Sequence, residues 1–320
     1  MDVVERIVAI DWSGRVDAAG QRRHIFSAVW ERGRTAEKSK GLRANNSMGG
    51  GRGATLGARV RLENGRTREE LADWLIELAR ETPRMVVSVD CCFSYPAWFL
   101  EEHGCATVFE FWEHVAAGHG ERWLARECED IRFWGKPRKK PAEFCGERMQ
   151  RMMRLTDAEN KMGALLTDPV RAAKMRGIAP KSPFQIGGSG SVGTGSLRAM
   201  PILLRLRAAG FRVWPYEASA LGAVRAKPLL VEMYTRLLTG AVKKSSEEAR
   251  RSYLLAKRKN DAGYAGLSRG VLGTAYESED AFDALVCVVE MARHRGEFVG
   301  LRATRDPVRR LEGITWIPKS

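Results

Sequence analysis

Two apolar runs, Ile7-Val8-Ala9-Ile10 and Met85-Val86-Val87-Ser88-Val89, each end on an aspartate, Asp11 and Asp90. Runs of this length without polar alternation suit strands covered on both faces, as central strands of an α/β sheet are. Aspartate is disfavoured within strands, so a carboxylate closing two such runs implies that the sheet edge there needs the charge. The two runs thus constrain both the architecture and the place where a polar site would form.

The rest of the chain is read around them. A polar turn is expected at Ser13-Gly14-Arg15, a second strand near His24 to Trp30 and a third near Leu56 to Leu62, with a glycine-rich loop from Asn45 to Gly53 between these last two. Thr67 should cap a helix that carries Glu69 and Glu70 in its first turn, places Leu71, Trp74, Leu75 and Leu78 at helical spacing, and ends before Pro83. From Ala97 to about Arg176 the pattern turns aromatic-rich, basic and helical, which reads as a helical insertion over 97–180 within a single domain of 1–320. The core resumes at Pro183 with a glycine-rich loop, a helix from Ser196 to Ala209, and strands at Phe211 to Tyr216 and Leu229 to Tyr234. Ser278 should cap the last long helix, with Phe282, Leu285, Val286 and Val289 as its apolar stripe. This order of elements is that of a ribonuclease H-like fold: a mixed α/β sheet flanked by helices, with one large insertion.

Lys plus Arg number 53 against 39 Asp plus Glu, a net charge of +14 in 320 residues, which favours a polyanionic partner such as nucleic acid. No apolar run approaches the ~18 residues of a membrane span, so no membrane partner is expected. The start, with Asp2 and Glu5 just before the first strand, does not read as a targeting peptide, and six scattered cysteines point to a reduced, cytoplasmic setting. None of the Cys or His spacings is that of a zinc site.

Asp280 and Asp283 stand three apart at the start of the last helix, hence on one face of it. With Asp11 and Asp90 they form a candidate carboxylate set for Mg²⁺ or Mn²⁺. Converging acids repel by roughly 4 kcal/mol per pair at 4 Å and an effective dielectric of 20, and cations offset that repulsion. A two-metal site of this kind activates water for attack on a phosphodiester. Asp11, Asp90 and Asp283 are the expected ligands, Asp280 an assisting acid, and Glu217 and Glu232 accessory candidates. The plainer readings stay open: Asp11 and Asp90 as turn formers, Asp280 as a first-turn acid favoured by the helix dipole, the two glutamates as paired or solvent-facing strand residues.

Gly188, Gly190, Ser191, Gly193 and Ser196 spell a glycine-rich loop at a helix N-terminus, a candidate phosphate-binding loop. It matches G-x-G-x-x-G literally, but Pro180 and Pro183 make the segment before it a poor buried strand, which argues against dinucleotide binding. Basic runs from Lys136 to Lys140 and Lys243 to Lys259 would suit a phosphate backbone, and Trp112, Trp123, Phe133 and Trp134 either stack on bases or pack the insertion.

Together Ile10-Asp11-Trp12-Ser13-Gly14, Val89-Asp90 with Phe93-Ser94 and Pro96, Gly190-Ser191-Val192-Gly193 leading to Met200-Pro201, Val231-Glu232 with Tyr234, and Ser278 to Leu285 resemble the domain-of-unknown-function family numbered 429. Its members are described as predicted nucleases with a ribonuclease H fold. The resemblance runs from about residue 6 to 295, leaves the insertion poorly matched, and implies a metal-dependent nuclease with Asp11, Asp90, Asp280 and Asp283 in the metal-binding positions. Similarly placed acids occur in Holliday-junction resolvases, where a glutamate stands in place of Asp90. Two other classes compete: an actin-like ATPase or kinase, which would need a second glycine-bearing phosphate loop where Asp90-Cys91-Cys92-Phe93 stands, and a non-catalytic nucleic-acid-binding module. The residues do not separate DNA from RNA.

Overall fold

The computed structural model describes residues 3–33, 58–135, 138–162, 178, 180–188 and 191–319. Six strands, β1 (Arg6–Asp11), β2 (Phe26–Glu31), β3 (Arg59–Glu63), β4 (Met85–Val89), β5 (Arg212–Trp214) and β6 (Leu229–Glu232), form one mixed sheet in the order β3-β2-β1-β4-β6-β5. β1 pairs antiparallel with β2, Ala9 facing Ala28, and parallel with β4, Ala9 facing Ser88. β4 and β5 both run parallel to β6. The two apolar runs of the sequence are therefore adjacent parallel strands, and Asp11 and Asp90 close them at the same edge; the Asp90 N–H still bonds the Ile10 carbonyl at 3.0 Å.

Both faces of β1 and β4 are buried, which explains why their sequences do not alternate. Val8, Ile10, Val87 and Val89 face a core shared with Leu71 and Leu75 of the Arg68–Glu81 helix and Leu203 of the Gly193–Ala208 helix. Ile7, Ala9 and Val86 face a second core built on Phe282, Leu285, Val286 and Val289 of the Glu279–Arg293 helix. Each fully covered aliphatic side chain contributes about 1.5–3 kcal/mol, so the middle of the sheet is the best-anchored part of the molecule.

The expected caps are present. Thr67 and Glu70 form a reciprocal capping box, and Ser278 accepts from the Ala281 N–H at 3.2 Å. A helix, Ala18–His24, stands where a polar turn running into a strand was expected; Asp17 caps it through the Gly20 N–H, and β2 begins only at Phe26. Seven residues with one buried side chain leave almost no periodic signature to read. At the sheet edge, β3 carries Arg59, Arg61 and Glu63, charges that discourage pairing with another chain. The expected loop from Asn45 to Gly53 lies outside the described residues, as do 56 and 57 of the expected third strand and 136 and 137 of the first basic run.

The described part of the 97–180 region holds the helices Ala97–Glu102, Val108–His114, Gly120–Leu124, Gly146–Arg151 and Leu155–Met162, with turns and irregular chain at 125–135 and 138–145. Its aromatic side chains do not form a stacking face. Trp112, Trp123, Phe133 and Trp134 are buried, with Phe99, Phe111 and Phe184, in the same core that covers Val8 and Val87. Tyr95, two residues beyond Phe93 in the turn after β4, packs on Phe99, Phe111, Phe133 and Phe184 at ring separations of 5.0–6.0 Å. The insertion is thus the cover of one sheet face. Among the described residues, no strand leads into the glycine-rich loop; residue 185 makes an isolated bridge to Trp134.

Candidate active site

Four elements bring polar side chains to the edge where β1 and β4 end. Asp11 closes β1, Asp90 follows β4, Thr235 follows β6 by three residues, and Asp283 lies one turn into the Glu279–Arg293 helix. Ala284 and Cys287 beside Asp283 are fully buried, and their small side chains let the helix lie against the sheet. The Thr235 hydroxyl stands 3.2 Å from Asp90 Oδ2 and 3.3 Å from Asp283 Oδ2. A hydroxyl has one proton to donate, so it bonds one of these carboxylates at a time. The Lys244 ammonium forms a short ion pair with Asp283 Oδ2. Asp283 Oδ1 is buried without a hydrogen-bond partner among the described residues.

The electrostatics follow from this crowding. Burial, then the charges of Asp283, Asp90 and Asp280, push the Asp11 carboxyl well above its usual range, with Lys244 opposing. Asp90 is lifted to about 6, first by burial and also by Asp283, while Lys244 and Thr235 pull the other way. Asp283 is raised by burial against the pull of Lys244. Burial disfavours the Lys244 ammonium, but Asp283, Asp11 and Asp90 more than compensate and hold it protonated. A carboxyl raised in the folded state contributes stability below its unfolded value near 3.8 and loses it as pH climbs through about 6. Asp90→Asn does not titrate. In chelator, the stability of Asp90→Asn relative to wild type should therefore increase from pH 4 to pH 7; a constant gap in urea melts across that range would refute the raised value.

Asp90 and Lys244 also line an open cleft of about 920 Å³. Its walls carry the Ser13-Gly14-Arg15 turn, Lys181, Arg236 and Lys243, together with Ser191, Thr194 and Gly195 around the start of the Gly193–Ala208 helix. That start has no side-chain cap among the described residues. The β1 turn and this helix are held in close approach: Trp12 Nε1–H donates to the Gly195 carbonyl at 2.9 Å, and a Cβ on Gly14 would meet the Gly195 nitrogen at 2.8 Å. The cleft therefore combines Asp90 and Lys244 at the sheet end, further acids at Asp157, Glu232 and Glu279, and the cations Arg15, Lys181, Arg236 and Lys243, an arrangement suited to an anionic ligand bearing a cation.

The structure puts Asp11, Asp90 and Asp283 at one sheet edge, near enough to act on one another electrostatically, and places the remaining candidates differently. Asp280 turns to His24, with Nδ1 and Oδ2 3.0 Å apart, and remains about a third exposed. Glu217 does not line the cleft; it pairs with Arg212 at 2.9 Å and Arg207 at 3.8 Å. Glu232 reaches the cleft wall, but Arg154 holds both its oxygens at 2.6 Å, and Phe93 N–H and the Thr315 hydroxyl bond it at 2.7 Å.

In the glycine-rich loop, Gly188 has φ +83°, Ser191 lines the cleft, and Gly190 lies outside the described residues. Ser196 Oγ accepts from the Cys92 N–H at 2.9 Å and ties the turn after β4 to the helix. Gly193 has a packing reason: an added Cβ would stand 2.1 Å from the Pro183 carbonyl oxygen. Gly193→Ala should cost about 1–3 kcal/mol in urea unfolding, the usual penalty of overpacking; a neutral effect would show that this loop shifts freely.

Sequence reasoning missed Thr235 and Arg154 and saw Lys244 only as part of a basic run. Nothing local distinguishes Lys244 from Lys243; its role depends on which lysine meets Asp283 after folding. Among the described residues, no three His, Cys, Asp or Glu side chains form a ready-made metal-ligand group. The donor chemistry still fits a hard divalent cation: carboxylate oxygens only, one of them buried and unpartnered among the described residues, and three carboxyls that burial and mutual repulsion keep from ionising easily. Comparison with family models, with curated proteins and with solved structures returned no match for this chain.

Proposed function

We propose that this protein is a nuclease of ribonuclease H-like architecture that hydrolyses phosphodiester bonds of nucleic acid with Mg²⁺ or Mn²⁺, and that its resemblance to the family numbered 429 reflects membership. The observation that carries the reading is the placement of Asp11, Asp90 and Asp283 at one sheet edge, with Asp283 Oδ1 buried and unpartnered among the described residues, beside a cleft whose lining includes Lys181, Arg236, Lys243 and Lys244. The sheet order β3-β2-β1-β4-β6-β5, with an antiparallel β1-β2-β3 meander and β4 parallel to β1, is compatible with that architecture.

Asp11, Asp90 and Asp283 would hold the cation, which when bound supplies charge neutralisation at the phosphate and acidifies a water. Thr235 stands between Asp90 and Asp283 and donates its one proton to either of them. Lys181, Arg236 and Lys243 draw the phosphate backbone into the cleft, and the uncapped helix start at Thr194 and Gly195 offers N–H groups to a phosphate oxygen. The test is cleavage of mixed DNA and RNA substrates by the purified chain with Mg²⁺ or Mn²⁺, set against the Asp11→Asn, Asp283→Asn double variant. Wild type should cleave and the variant should not. Equal inactivity of the two overturns the nuclease; salt-sensitive binding without any metal effect would then point to a binding module, and ATP-dependent thermal stabilisation to a phosphotransfer enzyme.

A further inference from the structure

We propose that Lys244 is a resident cation of the acidic cluster, taking the charge role of one metal ion, so that the site binds a single divalent cation and not a pair. This rests on the cation-dependent reading above and sharpens it.

Charge and donor count both lead here. The Lys244 ammonium is paired with Asp283 Oδ2, so of the three negative charges that Asp11, Asp90 and Asp283 would present to a cation two are left, which one divalent ion neutralises and a second would overshoot. Asp280 also acts on Asp11, but as the weakest of the three acids that do so; it is about a third exposed and paired with His24, so its charge is the most screened of the four. The oxygens are also partly committed. Asp283 Oδ2 is engaged by Lys244, and the Thr235 hydroxyl takes up either that oxygen or Asp90 Oδ2, so Asp283 offers only Oδ1 to an incoming ion. Two ions about 3.5–4 Å apart need carboxylates able to serve both. A lysine ammonium, by contrast, is a compact point charge that neutralises a carboxylate without demanding a full set of ligands.

Lys244 is held in place by the backbone around it and not merely by its charge. The Lys244 N–H bonds the Val242 carbonyl at 2.9 Å, and the Lys244 carbonyl accepts from the buried guanidinium of Arg250, which also holds the Tyr276 carbonyl near the start of the Glu279–Arg293 helix. The backbone of Lys244 is thus tied to the end of the Arg269–Glu277 helix, which leads directly into the helix that presents Asp283. Lys244 also lines the cleft beside Asp90, so it faces a phosphate bound there.

The experiment counts Mn²⁺ bound to the metal-stripped full chain, by calorimetry and by the loss of the free-ion paramagnetic resonance signal, for wild type, Lys244→Met, Lys244→Arg and Asp283→Asn. Wild type and Lys244→Arg should take up one ion, Lys244→Met two, and Asp283→Asn none at this site. Two ions on wild type, no ion on wild type, or one ion on a folded Lys244→Met overturns the proposal. Should Lys244→Met fail to fold, the wild-type count and that of Lys244→Arg decide. Wild type that binds one ion but cleaves no nucleic acid defeats the nuclease and leaves Lys244 in its role; wild type that cleaves with two ions bound does the reverse.

Discussion

Asparagine in place of Asp11 is expected to raise the melting temperature of the metal-free protein by a few degrees while lowering metal-dependent cleavage by about 100-fold or more. The two effects have one cause. Asp11 ionises against burial and against Asp283, Asp90 and Asp280, with only Lys244 helping. An amide of the same shape removes that repulsion, a relief of order 1–3 kcal/mol, and each kcal/mol moves the melting point by about 2–4 °C in a chain of this size class or slightly less. The same change removes an oxygen donor and a negative charge from the cation site, and losing several kcal/mol of transition-state stabilisation corresponds to factors of this size. Saturating Mn²⁺ should reverse the order of stability, because wild type gains binding energy that the variant lacks. Asp280→Asn is the contrast: its partner is His24, so both effects should be smaller. Were Asp11→Asn instead to melt lower than wild type in chelator, Asp11 would be a turn former and the cluster would lose its strand-end member.

Those opposing effects explain why this part of the site is legible in the sequence. Asp11 and Asp90 interrupt apolar runs, and Asp283 interrupts the buried face of a helix; each breaks a local rule that propensity and patterning set, and such breaks are expected at functional sites. The helix from Ala18 to His24 breaks no rule strongly enough to be seen, since one buried residue, Gln21, sets no period. Lys244 and Thr235 obey every local preference, and their meaning comes from β6 and the last helix arriving together. Glu232 shows the converse limit. A charged residue in a buried strand announces that it has a partner, yet the sequence cannot say whether that partner is a metal, a substrate or an arginine 78 positions away.

Arg154→Met should be more damaging to stability than any substitution in the acidic cluster, costing about 3–5 kcal/mol in urea unfolding. The guanidinium is 1% exposed and holds two buried carboxylates at once, Glu232 through both oxygens at 2.6 Å and Asp157 at 2.8 and 3.1 Å. Without it those acids face each other unpaired and nearly buried at the cleft wall. Arg154→Lys would not preserve the arrangement, because a point charge cannot reproduce the planar fork that spans both acids. Adding Glu232→Gln to Arg154→Met should recover part of the loss by removing the unpaired charge, and this recovery separates an ion-pair role from a packing role. The consequence for the site is geometric. Glu232 also fixes the Phe93 N–H, three residues past Asp90, and Thr315 near the C-terminal end, so this network sets the course of the chain leaving β4. If Arg154→Met unfolded with less than about 1 kcal/mol of loss, the turn after β4 would have to be held by the aromatic core around Tyr95 alone, and Asp90 would owe its position to the insertion instead of to a buried charge.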